Sequence, residues 1–213
     1  MLRTFASAIQ IVLDTILPRK ERIIRIDHYA LEDIPVSPVE HEACGVSITT
    51  LLDYRTQVVQ DLIRSLKYDH SGHAAQLLAG ALAEYLREEI ANLKAFSTKP
   101  IVLIPVPLHA SRLRERGFNQ IETVLQNLPR EFKNGTISRV VADALVRTRP
   151  TPQQTRLSRS ERLKNVAGAF KLLSPIENVH IILVDDVTTT GATLSEAATP
   201  FGSPVSLLAL AHA

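Results

Sequence analysis

The stretch IILVDDVTTTGAT, residues 181–193, constrains the fold more than any other part of this 213-residue chain. Four apolar residues, two adjacent carboxylates and a loop of threonine and glycine follow one another and lead into a helix-like segment. A short apolar run of this kind, bounded by a turn, predicts a buried parallel strand. Asp185 and Asp186 then lie at its carboxyl end, where open α/β sheets bind their ligands. The sequence therefore predicts an α/β fold with a ligand site after this strand.

The loop that follows the carboxylates has the composition of a phosphate site. Its residues are Thr188, Thr189, Thr190, Gly191, Ala192 and Thr193. Hydroxyl and backbone N–H groups supply donors, glycine lets the backbone approach a ligand closely, and the next helix offers the positive end of its dipole. Because carboxylates repel phosphate, a ligand that contacts both parts needs a phosphate at one end and neutral hydroxyls nearby, as a phosphorylated sugar has.

Two further segments are rich in arginine. The first, HASRLRERGFNQ (109–120), follows a predicted buried strand at 101–106 and precedes a helix, which is where a second phosphate-binding loop would lie. Arginine forks suit phosphate oxygens, and glycine permits a tight turn. The alternative is a solvated basic loop without a ligand. The candidate residues of this loop are Arg116, Gly117, Asn119 and Gln120.

The second segment, residues 147–165, carries six lysines and arginines against the single acid Glu161. Two prolines and the lack of apolar periodicity predict a mobile loop between strands at 143–147 and 166–172. Such a loop can close over a polyphosphate and exclude water. A flexible loop without a catalytic role and a nucleic-acid contact stay open as alternatives, although the loop lacks aromatic residues for base stacking.

The rest of the chain predicts an N-terminal extension, residues 1–50, and a main domain, residues 51–213. Apolar residues within 2–16 recur at helical spacing and favour an amphipathic helix that packs on the domain or on a partner. An interfacial membrane anchor is the alternative. Residues 18–48 are predicted to be an irregular connector with one short strand at 23–26. Helices that begin at Leu51 and at Ala74, and a last strand at 205–210, complete an open, mostly parallel sheet flanked by helices.

Composition excludes several classes of protein. A single cysteine rules out an intrachain disulfide and a cysteine-based zinc site. The net charge of +2 requires neither nucleic acid nor a membrane surface as a partner. No apolar run approaches the roughly 18 residues of a membrane span. We therefore expect a cytoplasmic protein.

Four segments of the chain, taken in order, resemble the ComF (competence protein F) family, a branch of the type I phosphoribosyltransferases. The resemblance extends from about residue 50 to the C-terminus. Residues 181–193 are similar to the phosphoribosyl pyrophosphate (PRPP) motif of the whole superfamily. The RGFNQ stretch and the pattern RTRxTxxQ…R…N…GAF narrow the resemblance to this family. The four segments are residues 62–86, 105–120, 147–170 and 181–193.

The resemblance implies a role for each candidate residue. Asp185 and Asp186 would hold the ribose hydroxyls of PRPP, and the loop 188–193 would hold its 5-phosphate. The candidate residues of segment 109–120 would lie near the pyrophosphate, which would bring Mg²⁺ with it. Lys67 and Tyr68 occupy the LKY position of the family, whose role is open. The residues implied in the mobile loop and its base are Arg149, Gln153, Arg156, Arg162, Lys164 and Asn165.

The implied activity is transfer of a phosphoribosyl group from PRPP to an acceptor, which the sequence does not identify, with release of pyrophosphate. A non-catalytic module that senses PRPP or a nucleotide, or that binds a partner in DNA uptake, is the alternative. A direct contact of the basic loop with single-stranded DNA is a third hypothesis. Members of the family commonly begin with a cysteine-rich zinc ribbon, but residues 18–34 contain no cysteine, so a role carried by a ribbon is not expected.

Overall fold

The computed structural model describes residues 21–150, 166–202 and 205–213. The helix predicted within 2–16 and most of the basic segment 147–165 therefore lie outside the described residues. The α-helices of the described parts are α1 (Glu21–Ile26), α2 (Gln57–Tyr68), α3 (Gly72–Phe96), α4 (Ala110–Arg116), α5 (Gln120–Asn127) and α6 (Ala192–Ala198). Their strands are β1 (Val39–Ala43), β2 (Val46–Asp53), β3 (Ile101–Pro105), β4 (Arg139–Val140), β5 (Leu145–Arg147), β6 (Phe170–Leu172), β7 (His180–Thr188) and β8 (Val205–His212).

Six of these strands form one sheet in the order β1-β2-β8-β7-β3-β4. All neighbouring pairs run parallel except β1 and β2, which form an antiparallel hairpin at one edge. Strands β5 and β6 form a separate antiparallel pair. The predicted fold, an open and mostly parallel sheet flanked by helices, is confirmed. The last strand predicted from residue 205 is also confirmed and extends to His212.

Strand β7 lies inside the sheet and contributes to a hydrophobic core on each face. Ile182 and Val184 belong to the core that α2 and α3 cover. Ile181 and Leu183 belong to the second core, which includes residues of β5, β6 and α6. This alternation follows from the pleat of a strand, in which successive side chains point to opposite faces. It also determines which elements lie beside each of the two carboxylates that follow.

Helix α3 has 25 residues, begins after Ser71 and covers the first core. The hydroxyl of Ser71 accepts a hydrogen bond from the backbone N–H of Ala74 and caps the helix start. The helix predicted to begin at Ala74 is thereby confirmed and begins two residues earlier, at Gly72. Among the described residues, no helix is both long enough and apolar enough to cross a membrane.

The short strand predicted at residues 23–26 is wrong, because these residues belong to helix α1. Two arginines one turn apart on this helix pair with carboxylates in α2 and directly after it. Arg22 pairs with Asp69, and the Nε of Arg25 donates to Asp61 at 2.7 Å. Asp61 is 1% exposed and accepts four hydrogen bonds from three side chains. Ion pairs between distant segments therefore stabilise residues 21–26 as a helix, and the local sequence pattern gives no information about such pairs.

The irregular connector predicted for residues 18–48 is also wrong, since β1 and the first part of β2 lie within it. The hairpin turn is formed by Cys44 and Gly45, both with positive φ, at 57° and 76°. Strand β1 is a largely exposed edge strand, so it lacks a continuous apolar run. Leu51 belongs to β2, and the helix predicted to begin there begins at Gln57. The boundary at residue 50 stays a prediction, and β2 crosses this position.

The arginine-rich segment 109–120, predicted as a loop, contains helix α4. The Nδ1 of His109 accepts a hydrogen bond from the backbone N–H of Ser111, so a histidine occupies the N-cap position. Gly117 ends the helix with a φ of 80°. The strands predicted at 143–147 and 166–172 are shorter than expected, and only their paired parts, β5 and β6, are extended.

Candidate functional site

Asp185 and Asp186 lie near the carboxyl end of β7, and their side chains are directed to opposite faces of the sheet. Asp186 accepts an ion-pair contact from the Nζ of Lys67, at the end of α2, at 2.8 Å. The positive charge of Arg147, at the end of β5, acts on Asp185. Each carboxylate therefore has a cation from the element that covers its own face.

The surroundings of Asp185 change the pKa of its carboxyl group. Burial and the neighbouring charge of Asp186 raise the pKa of Asp185 to about 7. The backbone N–H of Asp186, which donates to Oδ1 of Asp185 at 2.8 Å, and the charges of Lys67 and Arg147 reduce this rise. Asp185 therefore carries a proton in part of the molecules near neutral pH, and a ligand that brings positive charge or hydroxyl donors would favour its ionised form.

Replacing Asp185 by asparagine is expected to raise the melting temperature at about pH 8, by roughly 3 °C or more. The folded protein holds the proton of Asp185 up to about pH 7, whereas its ordinary pKa is 3.8. Wild-type stability therefore falls as the pH rises between these two values, because the unfolded chain binds fewer protons there. An amide keeps the acceptor for the N–H of Asp186 and has no charge to bury.

Thermal unfolding of both proteins at about pH 4.5 and pH 8 tests this expectation. The two melting temperatures should converge at the lower pH, where the carboxyl is protonated in the native state and the penalty is small. An advantage of the variant that is the same at both pH values would show that ionisation of Asp185 is not its cause.

The loop 188–193 is held in place by the hairpin of β1 and β2. Its first hydroxyl, on Thr188, accepts the backbone N–H of Gly191 at 3.2 Å. The thiol of Cys44 donates to the carbonyl oxygen of Thr190 at 3.3 Å. A β carbon on Gly191 would lie 2.5 Å from Cδ1 of Ile48, so only glycine fits this close approach. Thr189 is exposed, whereas Thr188, Gly191 and Ala192 are buried.

Helix α4 and the turn after it bring an arginine to the end of α2. The guanidinium of Arg116 lies 5.8 Å from the ring centre of Tyr68, and the rings of Phe118 and His70 are 4.6 Å apart. Burial lowers the pKa of Lys67, but the carboxylates of Asp186 and Asp185 raise it above its ordinary value, and the charge of Arg116 opposes this rise. Arg116 therefore lies beside the end of α2 that carries Lys67, and its contact with pyrophosphate stays a prediction.

Asn119 and Gln120 are less accessible than Arg116. Asn119 is 8% exposed; its Nδ2 donates to the carbonyl of Val106 at 3.1 Å, and its Oδ1 accepts the N–H of Ile121. Asn119 is the N-cap of α5, and its bond to Val106 joins this helix to the end of β3. Gln120 is 1% exposed, and its Nε2 has no hydrogen-bond partner among the described residues. Their contact with pyrophosphate stays a prediction.

The two ends of the basic segment 147–165 are held together at the site. The N–H of Thr148 donates to the carbonyl of Ala169 at 2.8 Å, and the guanidinium of Arg149 donates to the carbonyl of Ala167. The N–H of Gly168 donates to Glu196 of α6 at 2.6 Å. The described residues on either side of 151–165 therefore lie together, next to the helix that follows the threonine loop. Of its predicted site residues, Gln153, Arg156, Arg162, Lys164 and Asn165 lie outside the described residues.

Two basic residues at the site received no role from the sequence. Arg147 pairs in register with Phe170, and its guanidinium lies 5.3 Å from the centre of that ring. Lys67 follows Val59 and Ile63 at intervals of four residues, so it lies on the buried stripe of α2. A cation on an apolar stripe is the local signal that could have identified Lys67. No comparable signal marks Arg147 within its arginine-rich surroundings.

The donors at this edge of the sheet fit a magnesium ion that arrives with a polyphosphate. Among the described residues, no group of three or more histidine, cysteine, aspartate or glutamate side chains could hold a metal ion. Mg²⁺ commonly binds to one or two carboxylates and to substrate phosphates and keeps several waters. Asp185 and Asp186 could supply such carboxylate contacts, directly or through water.

A cavity of about 490 Å³ lies away from this site, toward the amino ends of β7 and β8. Its lining includes Ile182, Val205 and the carboxylates of Glu40 and Glu89. Among the described residues that line it there is no lysine or arginine. Because carboxylates repel phosphate, this lining does not favour a phosphate ligand.

Comparison with known proteins identifies relatives but no matching family model. DNA utilization protein YhgH of Escherichia coli O6:H1 is 34% identical over 153 residues, which are 71% of this chain and 63% of the relative. Competence protein F of Haemophilus influenzae is 33% identical over 138 residues, which are 63% of this chain and 58% of the relative. Competence protein ComFC of Streptococcus pneumoniae is 28% identical over 154 residues, 72% of this chain and 61% of the relative.

The chain thus spans less than two thirds of the length of these curated relatives. Three findings indicate the same family. The motifs resemble those of competence protein F, the structure confirms the predicted fold, and three differently named relatives are 28–34% identical. The chain belongs to the ComF family.

Proposed function

We propose that the protein binds PRPP with Mg²⁺ at the carboxyl end of β7 and transfers its phosphoribosyl group to an acceptor. The observation that carries the proposal is the carboxylate pair at the end of β7, which the threonine–glycine loop follows directly and which has a cation on each face of the sheet. Lys67 contacts Asp186, and the charge of Arg116 acts on Lys67. The charge of Arg147 acts on Asp185. Carboxylates accept hydrogen bonds from ribose hydroxyls, whereas backbone N–H groups and cations bind phosphates. A ribose with a phosphate group at each end matches this arrangement, because its hydroxyls can face the carboxylates while its phosphates face the threonine–glycine loop and the cations.

In the proposed reaction, the bond between C1 of the ribose and the pyrophosphate oxygen breaks, and its electron pair leaves with the pyrophosphate. The acceptor forms a new bond to C1 and releases a proton. The transition state at C1 has the character of an oxocarbenium ion, as in glycoside chemistry. Catalysis would rest on positioning and on stabilising the charge of the leaving pyrophosphate.

The names of the relatives support a place for this activity in competence or in the utilization of DNA. The predicted cytoplasmic location is part of the same proposal. The proposed site accounts for the ribose and phosphate groups of PRPP, and recognition of the acceptor would belong to other parts of the molecule.

Calorimetric titration of the purified protein with PRPP, with and without Mg²⁺, tests the proposal. We expect saturable binding that Mg²⁺ strengthens, followed by pyrophosphate release in a screen of acceptors. The absence of binding at millimolar PRPP would contradict the proposed site. Binding without turnover for any acceptor would instead favour the alternative, a non-catalytic module that senses PRPP in DNA uptake.

A further inference from the structure

The position of Lys67 calls for a physical explanation, because burying a cation costs free energy unless it has a partner. Its side chain is 20% exposed, and it lies in the last turn of α2. The negative end of the helix dipole and the carboxylate of Asp186, at 2.8 Å, both favour a charged ammonium there. Lys67 is therefore a stable cation at a place that solvent and a ligand can still reach.

The ammonium of Lys67 can donate more hydrogen bonds than its contact with Asp186 uses. An ammonium carries three N–H groups, and Asp186 is its one hydrogen-bond or ion-pair partner among the described residues. The carboxylate of Asp186 is 17% exposed, so the ion pair is open on one side. A polyanion that arrives from that side can accept hydrogen bonds from Lys67 without breaking the contact to Asp186.

The neighbours of Lys67 indicate which end of the ligand it faces. The next residue, Tyr68, is 62% exposed, and the guanidinium of Arg116 lies over its ring. The threonine loop, by contrast, extends from the end of β7 into α6 and packs against the β1–β2 hairpin. Lys67 thus lies between the carboxylate pair and the turn after α4, on the side away from the loop assigned to the 5-phosphate.

We propose that Lys67 is a pyrophosphate-binding residue of this site, which links the ribose carboxylate Asp186 to the arginine turn that carries Arg116. The inference rests on the proposed function and deepens it, since it assigns the LKY position a ligand contact. The ammonium lies at the junction of the ribose and the pyrophosphate, where the bond to the leaving group breaks. A donor at that junction stabilises the charge that develops on the leaving oxygen.

Two ligands that differ only in the pyrophosphate separate this role from a structural one. Titrations with Mg²⁺–PRPP and with ribose 5-phosphate are to be made on the wild type and on Lys67→Met. Loss of a contact to pyrophosphate should weaken PRPP binding about tenfold or more and leave ribose 5-phosphate binding nearly unchanged. Lys67→Arg, which keeps the charge, should retain most of the PRPP affinity. Arg64→Met, on an exposed position of the same helix, is the matched control and should change neither titration.

Each other result is equally informative. An equal loss for both ligands in Lys67→Met would mean that Lys67 only holds Asp186 for the ribose, and would overturn the inference. Unchanged PRPP binding in the same variant would overturn it as well. If the wild type itself fails to bind PRPP, the proposed function fails first. Thermal unfolding of each variant establishes that the lost affinity belongs to a folded protein.

Discussion

Replacement of Asp186 by asparagine is expected to weaken PRPP binding by roughly 10- to 100-fold. An amide has one neutral acceptor oxygen, whereas the carboxylate offers two charged oxygens to the ribose hydroxyls. The substitution also removes the charged partner of the Lys67 ammonium, which lies at 2.8 Å. Calorimetric titration with Mg²⁺–PRPP measures the loss, and thermal unfolding checks that the variant is folded.

Asp53→Asn is the matched control for this variant. Asp53 lies at the carboxyl end of the parallel strand β2, pairs with Arg55 at 3.1 Å and is far more exposed than Asp186. Both substitutions remove one negative charge from the same edge of the sheet, but only one removes a proposed ligand contact. Similar affinities of Asp186→Asn and the wild type would exclude this carboxylate from ligand binding. Equal losses of PRPP affinity in both variants would indicate that the summed negative charge at this edge of the sheet matters, and not a direct contact of Asp186.

Replacement of Gly191 by alanine is expected to destabilise the protein by about 2–4 kcal/mol. The added carbon would lie 2.5 Å from Cδ1 of Ile48 and 2.6 Å from Cβ of Ala43, in a backbone with a φ of 72°. The β1–β2 hairpin would have to move away from the threonine loop to relieve these contacts. Urea unfolding measures the change in the free energy of unfolding, and PRPP titration shows whether the displaced loop still binds phosphate.

Gly45→Ala separates backbone strain from close packing. Gly45 also has a positive φ, 76°, but no atom lies within 4 Å of an added β carbon. The free energy of unfolding of this variant should therefore fall only by the cost of backbone strain, about 1–2 kcal/mol. If Gly191→Ala proves no more destabilising than Gly45→Ala, the packing of the hairpin on the loop does not contribute to stability.

The centre of the candidate site was predictable because its information is local. An apolar run, two carboxylates and a threonine–glycine loop follow one another directly within residues 181–193. Parallel strands end at one edge of a sheet, so the helix and loop after β3 had to come near this motif. The structure accordingly places Arg116 close enough for its charge to act on Lys67, which pairs with Asp186.

The parts that the sequence analysis missed depend on contacts between distant segments. Helix α1 is a helix beside α2 because Arg22 and Arg25 find Asp69 and Asp61, more than 30 positions away. The β1–β2 hairpin has a polar edge strand and a Cys44–Gly45 turn, which lacks the usual asparagine or aspartate signal. Its position over Gly191 shows that residues before position 50 help to shape the threonine–glycine loop.

By itself the sequence determined the fold class, the strand that carries the two carboxylates and the loop beside them, because periodicity and residue order are properties of neighbouring residues. Only the tertiary structure decided which cation meets which carboxylate. That choice depends on the two faces of β7, one covered by α2 with Lys67 and the other by β5 with Arg147. Successive side chains of a strand point to opposite faces, so two adjacent aspartates acquire different partners. Burial and the neighbouring charge of Asp186 raise the pKa of Asp185.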